Sequence, residues 1–211
     1  MSVDVRVLED PARAAAELLA EHAHAGANLA LSGGTTVGRA YATATRLQPR
    51  WRDVHAWFGD ERAVPPSDPR SNYRLVRETL LDALAVPPEV HRVRGELPVE
   101  EAAALYNEEL TGITLELALN GIGPDGHTAS LFPGSPALDE QTRLVLPVIG
   151  PKPPPQRLSM TFPLINASRH VCFLVAEPAK RAVVEAVIAG DPSLPASRVC
   201  GCERTSWLLG W

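Results

Sequence analysis

The sequence predicts an α/β fold: a single-domain, doubly wound, mostly parallel sheet with helices on both faces, spanning residues 1–211. Three observations carry that expectation. Short apolar runs that read as buried strands alternate with stretches of helical periodicity, the order that builds a parallel sheet. Glycine-rich turns at 32–36 and 120–134 follow two of those runs, where the carboxyl rim of an open α/β sheet collects ligands. The 211 residues, 45% hydrophobic and 21% charged, suit a globular domain, and a chain of that length buries roughly 70% of its unfolded surface. No internal repeat and no linker marks a second domain.

Taken in order, residues 3–8 alternate as a strand. Asp10 then offers an N-cap and Pro11 the first helical position, opening a helix to about His24. Residues 27–31 read as a second strand, 36–47 as a helix after the glycine turn, and 54–58 as a third strand. A proline-rich loop, 59–71, leads to a helix over 72–84 capped by Ser71. Residues 98–110 are helical, and 115–119 and 144–148 are strands. The loop 150–156 holds four prolines; strands at 157–160 and 170–176 and a helix at 178–189 follow. This is a Rossmann-like succession of elements.

The net charge of −5 lacks the basic footprint of a general nucleic-acid binder. Asp4, Glu9 and Asp10 interrupt any leading apolar run, and no stretch reaches the ~20 apolar residues of a membrane span. Three cysteines, an odd number, fit a reducing compartment better than a disulfide framework. The expected setting is the cytoplasm and the expected partner a small molecule, with no nucleic acid and no membrane. Oligomeric state stays open, a monomer being compatible. No metal site is expected: His22 and His24 lie two apart on a helix and face different sides, and no Cys/His quartet has zinc spacing. Of twenty basic residues only Lys152 and Lys180 are lysine; a compact charge facing a phosphate resists exchange for a planar guanidinium.

Four groups of residues carry candidate chemistry. Ser32-Gly33-Gly34-Thr35 joins a strand to a helix, so backbone N–H groups and a helix N-terminus together suit a phosphate. It is neither a Walker A loop nor a dinucleotide fingerprint. Asp60-Glu61-Arg62 follows another strand; a carboxylate there can act as base or hydroxyl acceptor, and Arg62 can bind an anion or polarise a carbonyl. Between Asn120 and Gly134, four glycines surround Asp125 and His127. An imidazole so placed can accept and return a proton near neutral pH. Arg157 and Lys180 are further cations close to strands, and no Gly-x-Ser-x-Gly elbow supports serine hydrolase chemistry.

In register, these segments resemble the 6-phosphogluconolactonase family. The resemblance runs from about Ala30 to Val199. It rests on Ser32-Gly33-Gly34-Thr35, on Asp60-Glu61-Arg62 with Val64-Pro65 and Ser71-Asn72-Tyr73, and on Gly121 through Gly134. Pro151-Lys152-Pro153-Pro154-Pro155, the run Arg157 to Thr161, and Asn166 to Arg169 complete it. The resemblance implies hydrolysis of 6-phospho-D-glucono-1,5-lactone in the oxidative pentose phosphate pathway, with no metal or organic cofactor. It implies His127 as general base, Asp60 and Arg62 holding the sugar and its carbonyl with Arg62 open to sharing the phosphate, and Ser32, Gly33, Gly34, Thr35, Arg157 and Lys180 around the phosphate. Asp125 is counted with these substrate-binding residues, the other role open to it being to orient the turn or His127. Alternatives are a glucosamine-6-phosphate deaminase-like isomerase, which usually has tyrosine where Arg62 stands, and a sugar-phosphate sensor, which need not retain a base. The chain departs from the family pattern at Thr36-Val37, Asn120 and the closing Trp207 to Trp211, which leaves the packing of the C-terminal segment as a point for the structure to resolve.

Overall fold

The computed structural model describes residues 2–211. Its elements in chain order are β1 (Ser2–Val7), α1 (Pro11–His22), β2 (Asn28–Leu31), α2 (Thr35–Leu47), β3 (His55–Phe58) and β4 (Asp60–Arg62). Then come α3 (Asn72–Thr79), β5 (Glu89–Val90), α4 (Val99–Leu110), β6 (Leu117–Asn120), β7 (Val145–Ile149) and β8 (Gln156–Met160). α5 (Phe162–Ala167), β9 (His170–Val175), α6 (Arg181–Ile188) and β10 (Arg204–Leu209) complete the chain.

Seven strands form a parallel sheet in the order β1-β10-β9-β6-β2-β3-β5. From β2 the chain first steps outward to β3 and β5, then crosses back to β6 and continues to β9 and β10. α1 packs on α2 and α2 on α3, and the right-handed rule for parallel connections assigns α4, α5 and α6, which run the other way along the sheet, to the opposite face. The direction of winding reverses between β2 and β6, and the crevice beyond their carboxyl ends is where such sheets bind ligands. Strands covered on both faces read as unbroken apolar runs; β6 and β9 are buried at every position, and β10 at all but its first.

The doubly wound expectation holds for these seven strands, and three features differ from it. β7 and β8 leave the parallel sheet and pair antiparallel with each other, and β8 with β4, inside what reads as a loop at 59–71. The helix expected over 72–84 ends at Thr79, because Leu80 at φ −126° breaks it before a short 3₁₀ turn at Leu81–Ala83. The helix expected over 178–189 likewise divides into a 3₁₀ turn, Pro178–Lys180, and α6. The C-terminal segment, an open question in the sequence, is the inner strand β10, with Trp207 stacked on Phe173 of β9 at 4.0 Å. The caps fall where expected: Asp10 accepts from the Arg13 N–H at 2.9 Å, and Ser71 from Arg74 at 3.2 Å.

β9 also buries His170, 5% exposed, against Ser206 of β10 at 2.8 Å. Burial, with the nearby His22 and Arg204, lowers its pKa to about 4. A histidine held neutral in the fold but protonated in the unfolded chain favours unfolding between those two pKa values. Urea unfolding should therefore show stability falling as pH drops from about 6.5 towards 4, and His170→Gln should flatten that slope.

Candidate functional site

At the end of β2 the chain turns through Ser32, Gly33 and Gly34 into α2, whose N-cap is Gly34. Tyr41 on α2 anchors the turn: its hydroxyl accepts from the Ser32 N–H and donates to the Ser32 carbonyl, both at 2.9 Å. The Ser32 side-chain oxygen is buried with no partner, and it borders the cleft described below. Gly33 is required by close approach, since a Cβ there would overlap the side-chain oxygen of Asn72.

β4 follows the carboxyl end of β3, and strand alternation divides its three residues. Asp60 and Arg62 line the cleft, while Glu61 points away from it. Glu61, 2% exposed, accepts from the backbone N–H of Arg62 (2.7 Å), Asn72 (2.7 Å) and Tyr73 (2.8 Å) and from the Ser71 hydroxyl (2.9 Å). Burial raises its pKa against the pull of those four bonds. Glu61 thus ties β4 to the N-terminus of α3, a task the sequence does not separate from base or hydroxyl acceptor. Asp60 is also buried; it accepts from the Asn72 amide at 2.9 Å and the Ser130 hydroxyl at 2.6 Å.

Beyond β6, Gly121 to Ser130 forms the third wall. The Asp125 carboxylate meets Nδ1 of His127 at 2.5 Å and the His127 N–H at 3.3 Å. Partial burial raises the Asp125 pKa, but the hydrogen bond and charge of His127 outweigh it, leaving the carboxyl below its ordinary range. The tautomer that places the proton on Nδ1, towards Asp125, leaves a lone pair on Nε2, the arrangement a general base needs. The imidazole packs on Phe132, ring centroids 4.6 Å apart. On its other side it lies so close to Gly123 that a Cβ there would overlap the ring.

The antiparallel sheet brings the last wall. Arg62 of β4 and Arg157 of β8 are direct cross-strand partners. Like charges facing each other across strands are destabilising. Arg157 is 8% exposed; burial and the Arg62 charge pull its pKa down, and its guanidinium lies over Phe132 at 5.3 Å. Arg62 donates one N–H to the Arg70 carbonyl at 2.5 Å, while its Nε is buried without a partner. Two guanidiniums so placed can accept an anion between them. Lys180 adds a third cation, held by Glu177 at 3.3 Å, and Glu177 also accepts from the Thr36 hydroxyl at 3.4 Å.

These walls enclose a cleft of about 290 Å³ at the reversal between β2 and β6. Ser32, Gly33, Gly34, Thr35, Asp60, Arg62, His127, Arg157 and Lys180 all line it. Asp125 stands behind His127 outside the lining. Sequence reasoning missed Glu177, a polar residue just past the end of β9, and it met Asn72 and Ser130 only as parts of motifs. A wider depression of about 950 Å³ adjoins the cleft at residues 132–137 and 146–151, but the imidazole and the converging cations belong to the smaller one.

A family model described as glucosamine-6-phosphate isomerases/6-phosphogluconolactonase matches residues 4–207. The 6-phosphogluconolactonase of Mycobacterium tuberculosis is 40% identical over 189 residues, covering 80% of this chain and 75% of the relative. A crystal structure of 6-phosphogluconolactonase from Thermotoga maritima superposes with a TM-score of 0.87 over 100% of both chains, at 30% identity. A monomeric glucosamine-6-phosphate deaminase shares the fold, with a TM-score of 0.83 at 19% identity over 99% of this chain and 97% of that one.

The Glu61 clamp yields a stability prediction. Glu61→Ala leaves three backbone donors and a hydroxyl without their charged acceptor, and should cost about 3 kcal/mol or more in urea unfolding. Glu61→Gln, which keeps an acceptor oxygen, should cost distinctly less.

Proposed function

The chain belongs to the glucosamine-6-phosphate isomerase/6-phosphogluconolactonase family, and from that premise we propose that it hydrolyses 6-phospho-D-glucono-1,5-lactone to 6-phospho-D-gluconate in the oxidative pentose phosphate pathway. The observation that carries the reading is one cleft holding both an imidazole with its Nδ1 engaged and a pair of facing guanidiniums. The first suits proton transfer at a carbonyl. The second suits an anionic group at the other end of the same small substrate. The relatives named as lactonases support the choice of substrate.

In this reading Nε2 of His127 takes a proton from water as the oxygen attacks the lactone carbonyl. The resulting tetrahedral centre collapses by breaking the bond to the ring oxygen, and the imidazolium returns its proton there. Water is consumed and His127 is regenerated. Arg62 is assigned a place between the carbonyl and the phosphate, sharing the phosphate with its partner Arg157, with Lys180 and with the Ser32–Thr35 turn, so that binding energy remote from the carbonyl orients it. Asp60, with both oxygens already accepting from Asn72 and Ser130, is assigned a positioning role. A cytoplasmic setting goes with this pathway; among the described residues, no helix is long and apolar enough to cross a membrane.

The test is the rate of ring opening. Purified protein added to freshly made lactone should accelerate hydrolysis beyond the spontaneous rate, and no acceleration would refute the reading. In the same assay Lys180→Ala should raise KM more than it lowers kcat, as loss of a phosphate contact requires; unchanged kinetics would remove Lys180 from the phosphate site.

A further inference from the structure

At the other end of β3 from the cleft, register brings together three side chains that lie far apart in sequence. β3 and β5 run parallel with His55 opposite Glu89. Glu89 and His91 are two apart in extended chain, so they share a face. Nδ1 of His55 lies 3.0 Å from Nε2 of His91 and 3.5 Å from one oxygen of Glu89, whose other oxygen is 3.7 Å from Nε2 of His91. We propose that His55, Glu89 and His91 form a binding site for a single divalent transition-metal ion of the zinc class, at the open edge of the seven-stranded sheet.

The separations fit that ion. Zinc held tetrahedrally at about 2.0–2.1 Å sets its ligand atoms roughly 3.3 Å apart, and the three distances bracket that value. Two imidazoles and one carboxylate form a donor set that zinc uses, with a fourth position left to water from the exposed edge. The rings are also fixed in place. His91 stacks on Trp57 at 3.9 Å and 8°, and its carbonyl accepts from the Tyr106 hydroxyl at 3.1 Å. Its far nitrogen, Nδ1, faces Glu109 at 3.9 Å, beyond a direct hydrogen bond but on the side from which an outer carboxylate supports a ligating histidine. Arg94 balances Glu109 at 3.5 Å, so the cluster's net negative charge rests on Glu89.

The ion's role is mechanical. β5 is two residues long and forms the sheet edge, and an ion joining His55 to His91 clamps it to β3. The segment that follows presses Gly95 so closely on the Arg62 carbonyl that a Cβ would overlap it. None of the three ligands lines the cleft, so the ion takes no part in turnover.

The experiment uses the full chain, stripped with a chelator and titrated with ZnCl₂ by calorimetry and thermal melting. One zinc should bind per chain and raise Tm. Glu89→Gln and His55→Asn should each weaken binding by at least ~100-fold, the upper range for losing even an outer partner, with lactone turnover unchanged. Glu89 is exposed, so its variant keeps the fold and the test does not depend on a buried substitution. The proposal is overturned if wild type shows no zinc-dependent shift, which would leave a plain imidazole–imidazole hydrogen bond. It is equally overturned if binding survives both substitutions. Loss of binding in Cys200→Ser/Cys202→Ser, or zinc inhibition of turnover that persists in His55→Asn, would place the ion elsewhere.

Discussion

The cleft depends on one buried carboxylate. Asp60 accepts from Asn72 on α3 and from Ser130 on the segment that carries His127. Asn72 in turn sits against Gly33, where no other residue leaves room. Three loops from three different strand ends are thereby fixed to one another through a single side chain. A buried carboxylate is costly unless each oxygen is satisfied, and here the groups that satisfy it are the ones that position the site. Glu61 repeats the device one residue on, facing the opposite way: it secures α3 to β4 so that Asp60 and Arg62 keep their aim.

Within that frame the electrostatics are deliberately unbalanced. Arg62, half-buried, and Arg157, buried, face each other across β4 and β8, and Lys180 stands on the same cleft. A protein of net charge −5 thus concentrates cations where a small anion would neutralise them. Glu177 partly occupies that role by pairing with Lys180, and an incoming phosphate would compete with it for the same ammonium. The cations and the imidazole share one cleft, so an anion bound by the former lies within a single small substrate's reach of the latter.

Much of this was legible in the chain because glycine-rich turns at strand ends have a local signature. Gly33, Gly34, His127 and Asp60 could all be marked from neighbours within a few residues. What escaped detection depends on pairing between distant segments. Nothing in residues 59–71 or 144–160 announces an antiparallel sheet, so the Arg62–Arg157 opposition was invisible. β10 has no strand signature in the sequence, because Arg204 to Leu209, buried at all but the first position, does not alternate. His55, Glu89 and His91 meet only through the β3–β5 register. The helix is shorter than the expected 72–84, since the break at Leu80 lies in backbone angles that the apolar pattern does not encode.

The central claim is that the imidazole held by Asp125 moves the proton in ring opening. Its most direct test is kcat for His127→Ala at saturating lactone, corrected for spontaneous hydrolysis. The account predicts a fall of about 10²–10⁴-fold, the usual worth of general acid–base help, with KM little changed because the phosphate contacts remain. Wild-type kcat in that variant would contradict it.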